Sequence, residues 1–363
     1  MATTAVRAPS SGAELAAALA EANTTVRVRG AATKLGWAAA TEPGLELSTA
    51  GLDRVVEHNA GDLTAVLEAG VPLERAQAKF AEAGQMLALD PPGAGATIGG
   101  IIAAGDSGPL RTRYGSPRDL VLGMRVALAD GTVARSGAKV IKNVAGYDLA
   151  KLFTGSFGTL GAILEVSVRL HPLPPATATA VGRSADPGAI ARGASALSHA
   201  RLEQLGLDVR WAGGAGLVLS RYGGVAARPQ ADAAERLLRE TGLRTEVREE
   251  DELLWSEQRD GQRSPGGLAV RVSGVQTDMP RLLGVAERHG ATLVGRAGLG
   301  LSWLRLDDGD ADALVADLRG FCLATVLDRP AGLEAEPWPA PDPGAAELMR
   351  RLKERFDPEG KLV

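Results

Sequence analysis

Alanine and leucine recur at helical spacing behind Ser11, and Ser11 and Glu14 have capping-box spacing, so the run ending near Ala22 reads as a helix. Apolar and polar residues then alternate over Thr25-Val26-Arg27-Val28-Arg29, the period of a strand, and the alternation breaks at Gly30-Ala31-Ala32-Thr33-Lys34. Residues 63–69 predict a second strand closed by Gly70. Pro72 suits a first helical turn, and Gly84 stops that helix after Ala83. Residues 124–128, Asp130-Gly131 and Thr132-Val133 read as a hairpin, because Asp-Gly is a strong turn pair. Residues 162–170 predict a further strand, ended by His171-Pro172.

The pattern changes at Pro172-Leu173-Pro174-Pro175, a stiff connector that has no place in a central strand. Beyond it, strand-like runs at 216–220, 268–272 and 301–306 alternate with helix-like runs at 231–240, 279–288 and 310–320. That alternation predicts an α+β domain built on an antiparallel sheet. Near the end, Leu348, Met349, Leu352 and Phe356 share one helical face, and Asp357-Pro358 terminates the helix.

With 363 residues the chain is long for one core, so two domains are expected. A net charge of -4 and 4% aromatic residues exclude a basic footprint and a base-stacking platform, which argues against a nucleic-acid partner. The single Cys322 excludes an internal disulfide, a cysteine zinc site and an iron–sulfur cluster held by this chain alone. A reducing, cytoplasmic setting fits. No basic-then-apolar leader opens the sequence and no apolar run reaches bilayer length, so any membrane contact is expected to come through partner subunits, without direct insertion.

The most unusual stretch is Pro91-Pro92-Gly93-Ala94-Gly95-Ala96-Thr97-Ile98-Gly99-Gly100-Ile101-Ile102-Ala103-Ala104-Gly105-Asp106-Ser107-Gly108. A backbone so stripped of side chains lets a large ligand approach its amides, and successive amides form anion sites without a lysine. A phosphorylated cofactor is the expected ligand. It does not enter through a Rossmann turn: Ile98 stands where the third glycine of that fingerprint belongs, and Pro91-Pro92 precede the glycines in place of a strand end. Gly105-Asp106-Ser107-Gly108-Pro109 is similar to the nucleophile loop of trypsin-like proteases, which leaves a serine hydrolase using Ser107 as a remote alternative. His58, His171, His199 and His289 are scattered without metal-ligand spacing, so no metal is expected and no general base stands out. Arg111, Arg113, Arg118 and Arg125 suit either an anion or solvated ion pairs. The segment from Lys139 through Lys142-Asn143 to Gly146-Tyr147-Asp148 reads as a strand, a polar turn and a helix start.

Taken together these residues resemble the vanillyl-alcohol oxidase superfamily, flavoproteins with a PCMH-type FAD-binding domain. Arg29-Gly30-Ala31-Ala32-Thr33-Lys34 resembles the family's first pyrophosphate loop, and Thr97-Ile98-Gly99-Gly100 its second. Gly146-Tyr147-Asp148-Leu149 and Gly155-Ser156-Phe157-Gly158-Thr159-Leu160-Gly161-Ala162-Ile163 resemble the segment at the adenosine end, with Arg113-Tyr114-Gly115 and 118–123 continuing it. Within the superfamily, Ala103-Ala104-Gly105-Asp106-Ser107-Gly108-Pro109 and Lys142-Asn143-Val144-Ala145-Gly146-Tyr147-Asp148-Leu149 are similar to the FAD-binding E subunits of bacterial glycolate oxidases. The likeness is dense over about 25–172, thin from 176 to 330, and returns at Phe356-Asp357-Pro358-Glu359-Gly360. The D subunits carry an acidic residue where Phe157 stands, and the family's Asn-Pro-Gly does not follow Gly360.

The resemblance implies a PCMH-type domain of two α/β subdomains over 1–172, a smaller α+β cap or substrate domain with an antiparallel sheet over 176–330, and a segment over 331–363 returning to the first. It implies FAD as cofactor, held noncovalently because neither loop offers a histidine, with Arg29, Gly30, Ala31, Ala32, Thr33, Lys34, Pro92, Thr97, Ile98, Gly99, Gly100, Ala103, Ala104, Ser107, Gly161 and Ile163 at the site. It further implies oxidation of a 2-hydroxy acid, glycolate or D-lactate, by hydride transfer to flavin. Expected partners are a related D-type FAD subunit and an F-type iron–sulfur subunit. The alternative is a noncatalytic electron-transfer or assembly subunit of the same complex. The catalytic base and the carboxylate-binding arginine are not legible.

Overall fold

The computed structural model describes residues 4–37, 41–137 and 149–363. Two unlike halves emerge from it. The first holds a small parallel sheet and a larger antiparallel one. The parallel sheet joins Ala5–Arg7 (β1), Val26–Arg29 (β2) and Leu45–Ser48 (β3), with β3 central. Against it lies Gly12–Glu21 (α1), whose Ser11 cap accepts from the Glu14 amide; the Glu14 carboxylate returns to Ser10, one residue before the expected box. Leu15, Leu19, Val26, Leu45 and Leu47 close this core.

The antiparallel sheet takes Val55–Asn59 (β4) and Thr64–Glu68 (β5) before the chain forms Leu73–Ala81 (α2) and the short Gln85–Met86 (β6). Helices Ile98–Ala104 (α3), Arg111–Tyr114 (α4) and Pro117–Leu120 (α5) follow. The sheet is completed by Val121–Ala127 (β7), Val133–Gly137 (β8) and, beyond Ala150–Phe153 (α6), Ala162–Arg169 (β9), in the order β4-β5-β9-β7-β8. The expected Asp130-Gly131 hairpin joins β7 to β8, with Gly131 at φ 83°. The helix after Pro72 ends at Ala81, two residues before the predicted stop. The strand, turn and helix start expected over 139–148 lie outside the described residues.

His171–Pro172 (β10) pairs only with β6, which keeps the proline out of a central strand, as expected of the connector. The second half is one eight-stranded, wholly antiparallel sheet. Its strands and helices run Thr177–Ser184 (β11), Pro187–Ser198 (α7), Gln204–Ala212 (β12), Ala215–Gly223 (β13), Ala227–Glu240 (α8), Arg244–Arg248 (β14), Glu252–Asp260 (α9), Leu268–Ser273 (β15), Met279–His289 (α10), Thr292–Arg296 (β16), Leu301–Leu306 (β17), Ala311–Arg319 (α11) and Leu323–Asp328 (β18). The order β14-β11-β13-β12-β16-β17-β15-β18 places β12 beside β16 and β15 beside β18. One face buries Leu207, Val209, Val270, Val272, Leu293 and Leu304 under α7, α8, α10 and α11. The opposite face turns toward the first half.

The last helix, Pro343–Phe356 (α12), forms where its periodicity predicts, but its apolar face is not a core face: none of its residues is buried, and Leu348 and Met349 are exposed. Phe356 alone makes an aromatic contact, edge-on to Phe153 at 5.5 Å. Lys353 Nζ donates to the Thr159 carbonyl at 2.9 Å, and the chain end is held where the Lys361 carbonyl accepts from the Val26 amide at 2.7 Å. No helix among the described residues is long and apolar enough to cross a membrane.

Candidate functional site

The two glycine-bearing segments meet face to face. β2 ends at Arg29, and the chain turns through Ala32, held in the left-handed region at φ 62°. A left-handed residue in a tight turn gathers successive amides into a concavity suited to an anion. Among the described residues, the amides of Ala31, Ala32, Thr33 and Lys34 meet no protein acceptor. Ala31 and Ala32 are exposed and Thr33 and Lys34 half-buried, so these donors stand open to a ligand, and a cradle of free donors fits a diphosphate.

Across from this turn, Thr97 caps α3 by accepting from the Gly100 amide at 3.3 Å. Each glycine here has its own reason. A Cβ on Gly30 would stand 2.1 Å from Thr97 Oγ1, so Gly30 lets the two segments close on each other. A Cβ on Gly99 would meet Ala69 Cβ at 2.7 Å and the Ala69 carbonyl at 2.9 Å, so Gly99 seats the helix on the strand end. Gly100 has only Thr97 Oγ1 within reach and faces the open side. The third wall is the turn before β9: the Gly155 amide donates to Ile102 and the Phe157 amide to Ala103, pinning the turn to the end of α3. Phe157 sits there in the left-handed region at φ 54°, a conformation a bulky residue keeps only where its surroundings impose it.

Two adjoining clefts, ≈ 50 and ≈ 80 Å³, run between these walls. Arg29, Gly30, Ala31, Ala32, Thr33, Lys34, Thr97, Gly99, Gly100, Ala103, Ala104, Gly161 and Ile163 all line them. Three expected residues do not. Ile98 is fully buried in the core beside Ile101 and Ile102. Pro92 is buried outside both clefts, and Ser107 is buried with its Oγ accepting from Arg111 at 3.3 Å. Val28, Leu35, Thr49, Ala69, Phe157, Gly158 and Ala162 join the lining unforeseen. Of these, Phe157, Gly158 and Ala162 stood within the segment already likened to the adenosine end; the others carry no chemical signature. A far larger cavity, ≈ 990 Å³, lies elsewhere, between β12, β13 and α9 of the second half.

Charge enters from below the turn. Lys34 Nζ lies 3.3 Å from the Asp106 carboxylate, and both side chains are almost wholly buried. Burial raises the pKa of Asp106, and Lys34 opposes that rise. Trp37, buried one turn further on, has the Lys34 ammonium 5.7 Å and the Arg263 guanidinium 5.2 Å from its ring.

The second sheet grips both segments. Gln262 Nε2 donates to the Ser107 carbonyl at 3.1 Å, and Arg263 Nη1 to the Thr33 carbonyl at 3.1 Å. Arg263 is itself held by Asp328 at 2.8 Å. Behind Gln262 stands Arg296, paired with Asp208 at 2.8 Å with neither side chain exposed. These contacts cross more than 150 residues of chain, and nothing in a linear reading marks Gln262 or Arg263.

Ser107 has no histidine partner. His58 hydrogen-bonds Gln85 at 3.0 Å, His171 lies against Tyr114, His199 contacts Ser195 and Ser198, and His289 pairs with Asp317. The hydrolase arrangement is therefore not assembled. None of the four histidines lines the clefts, and the described residues contain no group of three or more potential metal ligands.

A backbone-lined anion cradle beneath a large antiparallel sheet is the design of a nucleotide-cofactor protein that is not a Rossmann protein. Residues 3–137 match the family described as an FAD binding domain. Glycolate oxidase subunit GlcE of Escherichia coli is 43% identical over 125 residues, 34% of this chain and 36% of that protein. The cytochrome-linked D-lactate dehydrogenase of Arabidopsis thaliana is 37% identical over 153 residues, and subunit GlcD of Bacillus subtilis 40% identical over 149. The matches span only 27% to 36% of these relatives' lengths. The fold extends further than the sequence likeness: an alkyldihydroxyacetonephosphate synthase superposes with a TM-score of 0.73 over 98% of this chain and 76% of its own, at 15% identity.

Proposed function

We propose that the chain is the FAD-binding subunit of a glycolate-oxidase-like complex that oxidises a small 2-hydroxy acid, glycolate or D-lactate, to the 2-oxo acid. The observation that carries this reading is the row of four unengaged amides, Ala31 to Lys34, facing Thr97 and Gly100 across a cleft walled by Gly158 and Gly161. Bound there, FAD supplies the two-electron acceptor, chemistry that no side chain offers. The chain's own residues bind and orient. The 31–34 amides take the diphosphate, Gly100 and Gly158 leave room for the cofactor, and no covalent link to a histidine is available at the clefts. Gln262 and Arg263 hold the two loops against the second sheet.

We read 1–172 as the cofactor domain, 176–330 as the cap and 331–363 as the returning segment. Partners in this reading are a D-type FAD subunit and an F-type iron–sulfur subunit, in keeping with the subunit names of two relatives. The setting is cytoplasmic, with any membrane association through partners.

The absence of a histidine at the clefts favours a second reading, a noncatalytic FAD subunit for electron transfer or assembly. Anaerobic mixing of the FAD-loaded chain with glycolate or D-lactate separates the two. Bleaching of the oxidised flavin band within seconds is the expected result for a catalytic subunit, and an unchanged band assigns the assembly role. A purified chain that neither carries FAD nor takes it up overturns both.

A further inference from the structure

Arg263 reaches the first half from the connection between α9 and β15, and its donors divide between two tasks. One edge of the guanidinium meets the buried Asp328 carboxylate at the end of β18 side-on: Nε lies 3.1 Å from Oδ1 and 2.9 Å from Oδ2, and Nη2 lies 2.8 Å from Oδ1. The Ser264 amide donates to the same carboxylate at 2.7 Å, so Asp328 is itself held. That grip leaves Nη1 free, and Nη1 donates to the Thr33 carbonyl at 3.1 Å. The guanidinium also lies 5.2 Å from the Trp37 ring, and Trp37 closes the same turn by donating its amide to the Lys34 carbonyl at 3.1 Å.

Peptide geometry gives this contact a consequence. In a planar trans peptide the carbonyl oxygen and the following amide hydrogen point in opposite directions. Fixing the Thr33 carbonyl on Arg263 therefore aims the Lys34 amide away from Arg263. Thr33 and Lys34 both line the cleft opposite Thr97 and Gly100, whereas Arg263 lines neither cleft. The Lys34 amide meets no acceptor among the described residues. The arginine thus stands behind the turn, and the amide it orients is directed to the cleft side. The Lys34 ammonium is occupied elsewhere, 3.3 Å from the Asp106 carboxylate.

We propose that Arg263 is a positioning residue for the cofactor diphosphate, so that the second half supplies the group that orders the 31–34 cradle. The inference rests on the reading of Ala31 to Lys34 as that cradle. Donors hold an anion well only when their directions are fixed before it arrives, and Asp328 fixes Arg263 in turn. A lysine at this position would keep the charge and lose the rigid fork that meets Asp328 and Thr33 at once.

Two measurements on the full chain test this: fluorescence titration with FAD, and phosphorus NMR of the FAD-loaded protein. Arg263→Gln is expected to raise the Kd for FAD about tenfold, the scale of one hydrogen bond. At saturating FAD, the diphosphate resonances of that variant should move toward those of free FAD while the flavin absorption band stays as in the wild type. A residue that only supported the fold would lower Tm and leave the resonances in place. Arg263→Lys should fall between, and it carries the test if the glutamine variant does not fold. Wild-type affinity with wild-type resonances in Arg263→Gln, or in Arg263→Lys where it stands in, overturns the proposal. Weakened affinity with unmoved resonances also overturns it, because Arg263 would then be a tether between the halves and nothing more. A wild-type chain that takes up no FAD, or whose diphosphate resonances match those of free FAD, is the separate failure of the cradle reading.

Discussion

The halves of this molecule solve opposite problems. Where the proposed cofactor loops lie, side chains are removed: Gly30 closes on the Thr97 side chain, Gly99 on Ala69, and amides without a protein acceptor are left open to a ligand. The eight-stranded sheet brings in large charged side chains and buries them in pairs, Arg296 with Asp208 and Arg263 with Asp328. Backbone recognition is insensitive to side-chain identity but intolerant of added volume. Side-chain pairs tolerate volume changes nearby and fail when one charge is lost.

Each half should therefore break in its own way. The largest effect is expected from Arg296→Met. It strands the Asp208 carboxylate in a fully buried position and removes the guanidinium 4.7 Å from the Trp303 ring. Breaking such a pair costs roughly 3–5 kcal/mol. Chemical denaturation should show that loss, while FAD content at low temperature stays near wild type. Loss of flavin without loss of stability would dissolve the contrast between the halves.

Gly99→Val should behave the other way. Its side chain would drive into Ala69, whose backbone atoms cannot swing aside as a side chain would. Overpacking of this kind costs roughly 1–3 kcal/mol. The displaced start of α3 should also lower the flavin-to-protein absorbance ratio more than Arg296→Met does. Equal flavin loss in both variants would mean that the sheet, through Gln262 and Arg263, governs the loops as much as their own glycines do.

The smallest effect concerns the seam. Part-buried Asp90 has its pKa pushed up to about 7, burial outweighing the Arg296 charge and the Leu110 amide that favour the carboxylate. The native state thus holds a proton there that the unfolded chain releases near the ordinary 3.8. Its contribution to stability is full below pH 3.8 and is lost as pH rises through 7. A melt series from pH 5 to 8 should lose about 1 kcal/mol from this group, allowing for its remaining solvent contact. Asp90→Asn should flatten that slope. An unaltered slope in the variant assigns the pH dependence to other groups.

Legibility divided along the same line. The strand before Gly30, the Asp130-Gly131 hairpin and the small-residue cradle could be read in order, because turn chemistry and missing side chains are local signals. Even so, α3 was hidden: its seven residues include two glycines and read as loop until Thr97 is seen capping them. Ile98 was misplaced for the same reason, since a helix turns it into the core while Gly100 faces out. In the second half, β13, β15 and β17 were visible from their own alternation. Of their neighbours, β16 and β18 lack the alternation that marks a half-buried strand, whereas β12 has it, Leu205, Leu207, Val209 and Trp211 being interleaved with Gly206, Asp208 and Arg210, and was passed over. Periodicity also described α12 correctly as a helix, but it reports which residues share a face and not whether anything covers it, and here Leu348 and Met349 are exposed.

What the chain determined by itself is the small-residue end: minimal side chains over Gly30 to Ala32 and at Gly99 and Gly100 permit close approach in whatever fold contains them. What only the tertiary structure decided is the opposite wall. Gln262 and Arg263 become significant because an antiparallel sheet folds back over loops more than 150 residues earlier. Burial and charge balance are properties of an assembled neighbourhood, and neither is written in any single stretch of sequence.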